Sequence, residues 1–230
     1  MSRVALISGA GRGIGAAVAQ RLANEGWQLS LGMRDPVLPA WADAQRLHLH
    51  AYDASADWAE REWVADALAR FGRIDAIVAN AGVMVPKSVI EASEDDLQSM
   101  LQINVLAPRR LAQAAWDALA ASGRGRIAIL ASLSGKRVKS ATSGSYAVSK
   151  FAAVGLAHAL RQAGFDLGIR ATAICPGFVA TDMARALTDR GDSAMTQPAD
   201  LARIIAMILD LPNEASVAEF AVNCQLEESF

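Results

Sequence analysis

Two clusters of residues in this 230-residue chain have the types and spacing to do chemistry. The first is Ser8-Gly9-Ala10-Gly11-Arg12-Gly13-Ile14-Gly15, directly after the apolar run Val4-Ala5-Leu6-Ile7. Glycine lets a backbone turn sharply and approach a phosphate with no Cβ in the way. A helix opened by such a turn offers free amides and the positive end of its dipole to a pyrophosphate. The second cluster is Tyr146-Ala147-Val148-Ser149-Lys150. On a helix, Tyr146 and Lys150 lie on one face. A free tyrosine, with a pKa of about 10, is a poor base near neutrality. An adjacent ammonium favours the phenolate, so the spacing predicts a lowered pKa for Tyr146. Taken singly, the motifs read as an ordinary strand–helix turn and an exposed helix pair. Together, a proton donor beside a cation and a cradle for a pyrophosphate point to nicotinamide-dependent redox chemistry on a carbonyl or an alcohol.

These groups need a scaffold that brings position 10 near position 150. Apolar strand candidates are Val4–Ser8, Gln28–Gly32, Leu47–Tyr52, Ala76–Ala79, Arg126–Ala131, Ala171–Ile174 and Val217–Val222. Amphipathic segments lie between them at Ile14–Glu25, Trp58–Phe71, Glu94–Ala121, Ser145–Ala163 and Ala199–Leu209. Such alternation implies parallel βαβ units with right-handed crossovers. The expectation is a single doubly wound α/β domain over residues 1–230, a parallel sheet of about seven strands with helices on both faces. Ser93 with Asp96 three residues on reads as a capping box. Pro36 and Pro39 make the second crossover short and irregular.

With the glycine loop and Tyr146-x-x-x-Lys150 in place, the chain resembles the short-chain dehydrogenase/reductase family, classical branch. Further motifs carry the resemblance through about residue 182: Asp53-Ala54, Ala79-Asn80-Ala81-Gly82 (with Ala79 where the family has a first asparagine), Ser132-Leu133-Ser134-Gly135 and Pro176-Gly177-Phe178-Val179-Ala180-Thr181. The resemblance implies a Rossmann fold and a catalytic set of Asn104, Ser132, Tyr146 and Lys150. Ser132 lies fourteen residues before Tyr146 and Ser134 twelve; Gly135, three after Ser132, favours Ser132. By the family's mechanism Tyr146 exchanges the proton, Ser132 hydrogen-bonds the substrate oxygen, Lys150 also holds the nicotinamide ribose, and Asn104 binds a water linking Lys150 to solvent. The implied cofactor-binding residues are Gly9, Gly11, Arg12, Gly13, Ile14, Gly15, Arg34, Asp53, Ala54, Asn80, Ala81, Gly82, Tyr146, Lys150, Pro176, Gly177, Val179 and Thr181. A non-catalytic nucleotide-binding regulator on the same fold is the alternative, since fold alone does not establish function.

The second strand runs into Met33-Arg34, where an NAD-specific site usually places an acid for the ribose hydroxyls. Arg34 and Arg12 suit a 2′-phosphate, so NADP(H) is expected over NAD(H), with Asp35 as the opposing feature. Residues 181–198 are expected to form a mobile flap carrying Met183, Leu187 and Met195. Leu133 and the basic loop Lys136-Arg137-Val138-Lys139 form the opposite wall, either to attract an anionic substrate or simply as a solvated loop.

A net charge of −2 with both signs interspersed gives no case for nucleic acid or an anionic membrane. No run of about 18 apolar residues exists, and a first strand beginning at Val4 leaves no room for a signal peptide. Cys175 and Cys224 lack metal-ligand spacing, so the expected compartment is the reduced cytoplasm. His48 and His50 share a strand face with no third ligand evident in the sequence, and no metal is expected. Arg109-Arg110 and Arg124–Arg126 read as solvated. In the family it resembles, the long helices, here 94–121 and 145–163, commonly pair across a two-fold axis, and their alanines suit either that close approach or packing within the monomer; the resemblance thus implies a homodimer or homotetramer acting on a small-molecule substrate.

Overall fold

A computed structural model describes residues 2–226. Among these residues, seven parallel strands form one sheet in the order β3-β2-β1-β4-β5-β6-β7. They are β1 (Val4–Ser8), β2 (Gln28–Met33), β3 (Leu47–Ala51), β4 (Ala76–Ala79), β5 (Arg126–Leu130), β6 (Arg170–Pro176) and β7 (Glu219–Val222). The order reverses between β1 and β4, and the carboxyl ends of these strands open onto the crevice where doubly wound folds bind ligands.

Both faces are covered, which is why the inner strands read as unbroken apolar runs rather than alternating ones. In β1, Val4 and Leu6 enter one core with Trp63, Leu111 and Ala153. Ala5 and Ile7 enter the other with Val18, Leu22, Leu201 and Ile205. The first core lies under α2 (Ala59–Phe71), α4 (Ala107–Ala114) and α6 (Gly144–Gly164). The second lies under α1 (Gly13–Asn24) and α8 (Pro198–Asp210). No helix forms between β2 and β3, as the two prolines there require.

The expected long helix over 94–121 is broken. It comprises α3 (Glu94–Leu101), a π-helical turn at Gln102–Leu106, α4, and α5 (Trp116–Ala121). Pro108 has no amide hydrogen to return to the Asn104 carbonyl four residues back, so an α-helical ladder cannot pass through this point. The Ser93–Asp96 capping box at the start of α3 is present as expected.

Two arginine pairs expected at the surface contribute buried partners instead. Arg110 makes a two-point ion pair with the fully buried Glu60, at 2.9 and 3.1 Å, and Tyr52 Oη donates to the same carboxylate at 2.8 Å. Arg126 is 3% exposed and donates to the Leu211 carbonyl and Asn213 Oδ1 beyond the end of α8.

Candidate active site

A cavity of about 1210 Å³ lies along the carboxyl ends of the strands. Of the catalytic and cofactor-binding residues expected from the sequence, all but Gly15 and Asn104 line it. Gly9 and Gly13 have φ of +65° and +56°, so the turn into α1 depends on glycine at both. Thr181 approaches Gly13 so closely that a Cβ there would lie 3.2 Å from its methyl carbon. The first and last family motifs therefore meet across the cavity. Gly15 serves packing: a Cβ would fall 2.3 Å from the Gly9 carbonyl oxygen.

The turn is clamped from behind. Asn80 Nδ2 donates to the carbonyls of Ser8 and Gly9, both at 3.1 Å. Ser8 Oγ accepts from the amides of Asn80 and Ala81, both at 3.0 Å. Ser8, buried at 3% exposure, is a positioning residue that the sequence reading passed over. Just beyond β3, Asp53 closes a turn onto the Ser55 amide and hydroxyl. These bonds, aided by the Arg34 charge, hold its carboxyl below the usual range.

Ser132, Tyr146 and Lys150, the expected catalytic residues, line the same cavity. Ser132 follows β5 and its Oγ accepts the Ser134 amide at 3.1 Å, capping the short turn Leu133–Gly135. The Ser132 side chain also opposes the effect of burial on the Tyr146 phenol, as expected of the serine that faces it. Gly135 explains the spacing: a Cβ would lie 2.5 Å from the Lys150 carbonyl oxygen, so only glycine lets this turn sit on α6. Lys150 Nζ donates to the Leu130 carbonyl at 2.7 Å and lies 5.6 Å from the Tyr146 ring centre.

The expected lowering of the Tyr146 pKa is not found. Burial pushes the phenol up to about 12, opposed only by the Ser132 side chain. Burial likewise brings Lys150 down to about 8. Desolvation dominates both because both groups are withdrawn from water, Tyr146 to 9% and Lys150 to 4% exposure.

Asn104 stands behind the cavity wall in the π turn. Its side chain is saturated by Val83, both N–H and C=O, and by Ser149 Oγ. It still reaches the site indirectly, since a Cβ on Gly82 would lie 3.3 Å from Asn104 Oδ1 and 3.7 Å from Lys150 Nζ.

The outer walls differ from expectation. Met183 and Leu187 line the cavity, but Met195 is 4% exposed in a small cluster with Ala180 and Ala184. The base of the 181–198 segment is tied down by Ala180 N to Thr196 O and Thr196 N to Phe178 O. Of the basic loop, Arg137 and Lys139 face the cavity, while Lys136 pairs with Glu219, which also bonds His158. Asn223 and Gln225 bring the C-terminal segment into the wall. No motif marks them; their signal is topological, since a parallel β7 must end on the same side.

The chain matches the short chain dehydrogenase family model over residues 3–192 and belongs to that family, a family of oxidoreductase enzymes. It is 38% identical to an agropine synthesis reductase of Rhizobium rhizogenes over 98% of its own length, yet spans only 53% of that protein. It is 33% identical to the oxidoreductase UcpA of Escherichia coli, over 99% of this chain and 89% of that one. Among solved structures, an alcohol dehydrogenase of the archaeon Thermococcus sibiricus, complexed with 5-hydroxy-NADP, superposes with a TM-score of 0.83. That pair shares 27% identity, with 96% of each chain covered.

Proposed function

We propose that this protein transfers a hydride between NADP(H) and a carbonyl or secondary-alcohol substrate, with Tyr146 as the acid/base. The observation that carries the proposal is the meeting of Tyr146, Ser132 and Lys150 on the wall of the cavity that also holds the glycine turn. The turn suits a pyrophosphate: α1 has no side-chain cap and no acid in its first turn, whereas α3 has both. Its first amides are thus left for an anion. Asn80 and Ser8 hold that turn in shape, and Asp53 with Ala54 borders the adenine end.

Bound there, the dinucleotide supplies or accepts the hydride. Ser132 orients the substrate oxygen and Tyr146 gives it a proton during reduction, or takes one during oxidation. With a pKa of about 12 in the free protein, Tyr146 is a proton donor throughout the neutral range, which suits carbonyl reduction. Lys150 holds the ribose and lowers the phenol's pKa once the positive nicotinamide adds to its charge. Pro108 denies the Asn104 main-chain oxygen its helical donor, and this oxygen is where a water would be held for proton supply through Lys150.

Arg34 and Arg12 border the cavity and favour NADP(H) over NAD(H). The Thermococcus alcohol dehydrogenase with its NADP derivative supports that choice. Residues 181–198 act as the substrate flap within one catalytic domain covering 1–230. The protein works in the cytoplasm as a homodimer or homotetramer. Loss of nicotinamide absorbance, followed with NADPH and with NADH against a panel of aldehydes, ketones and keto acids, tests the reading. Turnover that vanishes in Tyr146→Phe supports it. Equal or better efficiency with NADH overturns the cofactor assignment, and turnover unchanged in Tyr146→Phe overturns the mechanism.

A further inference from the structure

At the β3 edge of the sheet, β3 and α2 bring together His48, His50 and Asp66. Each offers a ligand atom, and these atoms lie within 4.8 Å of one another. His50 Nδ1 and Asp66 Oδ2 are already 3.2 Å apart. Tetrahedral zinc with bonds of about 2.0–2.2 Å needs donors about 3.4 Å apart, so a small rotation of the third side chain completes the set. The site is built from below. Trp63 stacks on His50 and donates its indole N–H to Ser30 Oγ at 2.7 Å. Ser30 Oγ in turn lies 2.8 Å from His48 Nδ1. The tautomer that donates Nδ1–H to Ser30 leaves the Nε2 lone pair of His48 for an ion, the arrangement in which an outer hydrogen bond orients a ligating imidazole. The neighbouring cation, Arg70, is turned to the Gln45 carbonyl at 2.9 Å.

We propose that His48, His50 and Asp66 bind one divalent transition-metal ion of the zinc class, with water at the remaining position, as a clip between the edge strand β3 and helix α2. Two imidazoles and a carboxylate suit a borderline metal, whereas magnesium and calcium prefer all-oxygen shells. The ion would tie down the strand that runs directly into Tyr52 and Asp53 at the adenine end of the cavity. Asp66, half exposed, closes the site from the solvent side.

The test is a zinc titration by calorimetry on chelator-treated, tag-free protein, with Co²⁺ as a spectroscopic probe. The expected result is one ion per chain, weakened by at least about tenfold in each of His48→Ala, His50→Ala and Asp66→Ala. Zinc raises the thermal midpoint of the wild type but not of the variants, and magnesium raises neither. Asp66→Ala keeps a folded control, since alanine suits a helix and the side chain is half exposed. Cys224→Ser leaves binding unchanged, and the cobalt spectrum lacks a thiolate charge-transfer band. Failure to bind zinc, or equal binding by wild type and Asp66→Ala, overturns the proposal.

Discussion

Gly135 offers a direct test of whether the Ser132–Tyr146–Lys150 geometry governs the reaction. In Gly135→Ala the new Cβ would sit 2.5 Å from the Lys150 carbonyl oxygen and 2.9 Å from its carbon. Nonbonded contact requires about 3.4 Å or more, so the turn carrying Ser132 and the helix carrying Tyr146 must separate by close to 1 Å. Neither neighbour yields easily, because the contact is with helix backbone rather than a flexible side chain. Overpacking of this kind destabilises by about 1–3 kcal/mol. For a chain of this size that lowers the thermal midpoint by roughly 2–12 °C. A displacement of about 1 Å between catalytic groups can lower the rate by about 100-fold. The glycine turn and Asp53 lie on other elements, so the loss in NADPH affinity, confined to the expected Lys150 contact with the ribose, should be far smaller than the loss in rate. Steady-state kcat/KM and a fluorescence titration of NADPH separate the two effects. A variant with wild-type kcat/KM, folded and saturable, would refute the assignment of catalysis to this juncture.

Tyr146→Phe keeps the ring's packing and is expected to lose about 100- to 10,000-fold in kcat while binding NADPH nearly normally, by the same two assays. Arg34→Ala should reduce the preference for NADP(H) over NAD(H) by about tenfold or more, read from the ratio of kcat/KM values. Between about pH 8 and 10.5 the folded protein holds fewer protons on Lys150 than the unfolded chain does, so stability rises with pH across that window and the full penalty applies below it. Lys150→Met therefore gains up to roughly 3 kcal/mol near neutrality, less its bond to Leu130, and flattens this dependence, as thermal midpoints at pH about 7 and about 10 will report. Arg110→Ala strands the buried Glu60 carboxylate and should destabilise by about 3–5 kcal/mol in urea unfolding.

The strands in the middle of the sheet were legible because covering on both faces demands continuous apolar runs, and β1 and β4 match their expected limits. The ends of β6 and β7 were not, because pairing extends Arg170–Pro176 beyond its apolar centre and leaves β7 only four residues. The cavity residues were readable since glycine, proline and the Tyr-Lys pair carry their chemistry in local spacing. Three features lay beyond that reach. The sign of the Tyr146 shift depends on water excluded by elements far apart in sequence. Asp66 joins His48 and His50 only because α2 packs back on β3. Asn223 approaches Gly177 so closely that a Cβ there would lie 2.3 Å from its side-chain oxygen, a contact set by β6–β7 pairing.

The reversal of strand order between β1 and β4 also governs how the chain assembles during synthesis. The first 51 residues contain β1, β2 and β3 and can pair them in sequence. Until Ala76–Ala79 emerges, however, β1 has an open edge, and that edge is Val4–Ser8, fully enclosed in the finished protein. A nascent chain halted between α2 and β4 thus exposes an apolar strand edge, the template for mispairing that complete sheets remove. Each later strand joins only after a long crossover, so the contacts that close this edge are non-local and slow to form. The arrangement that opens the ligand crevice in the finished sheet is also the point at which the growing protein most needs protection from aggregation.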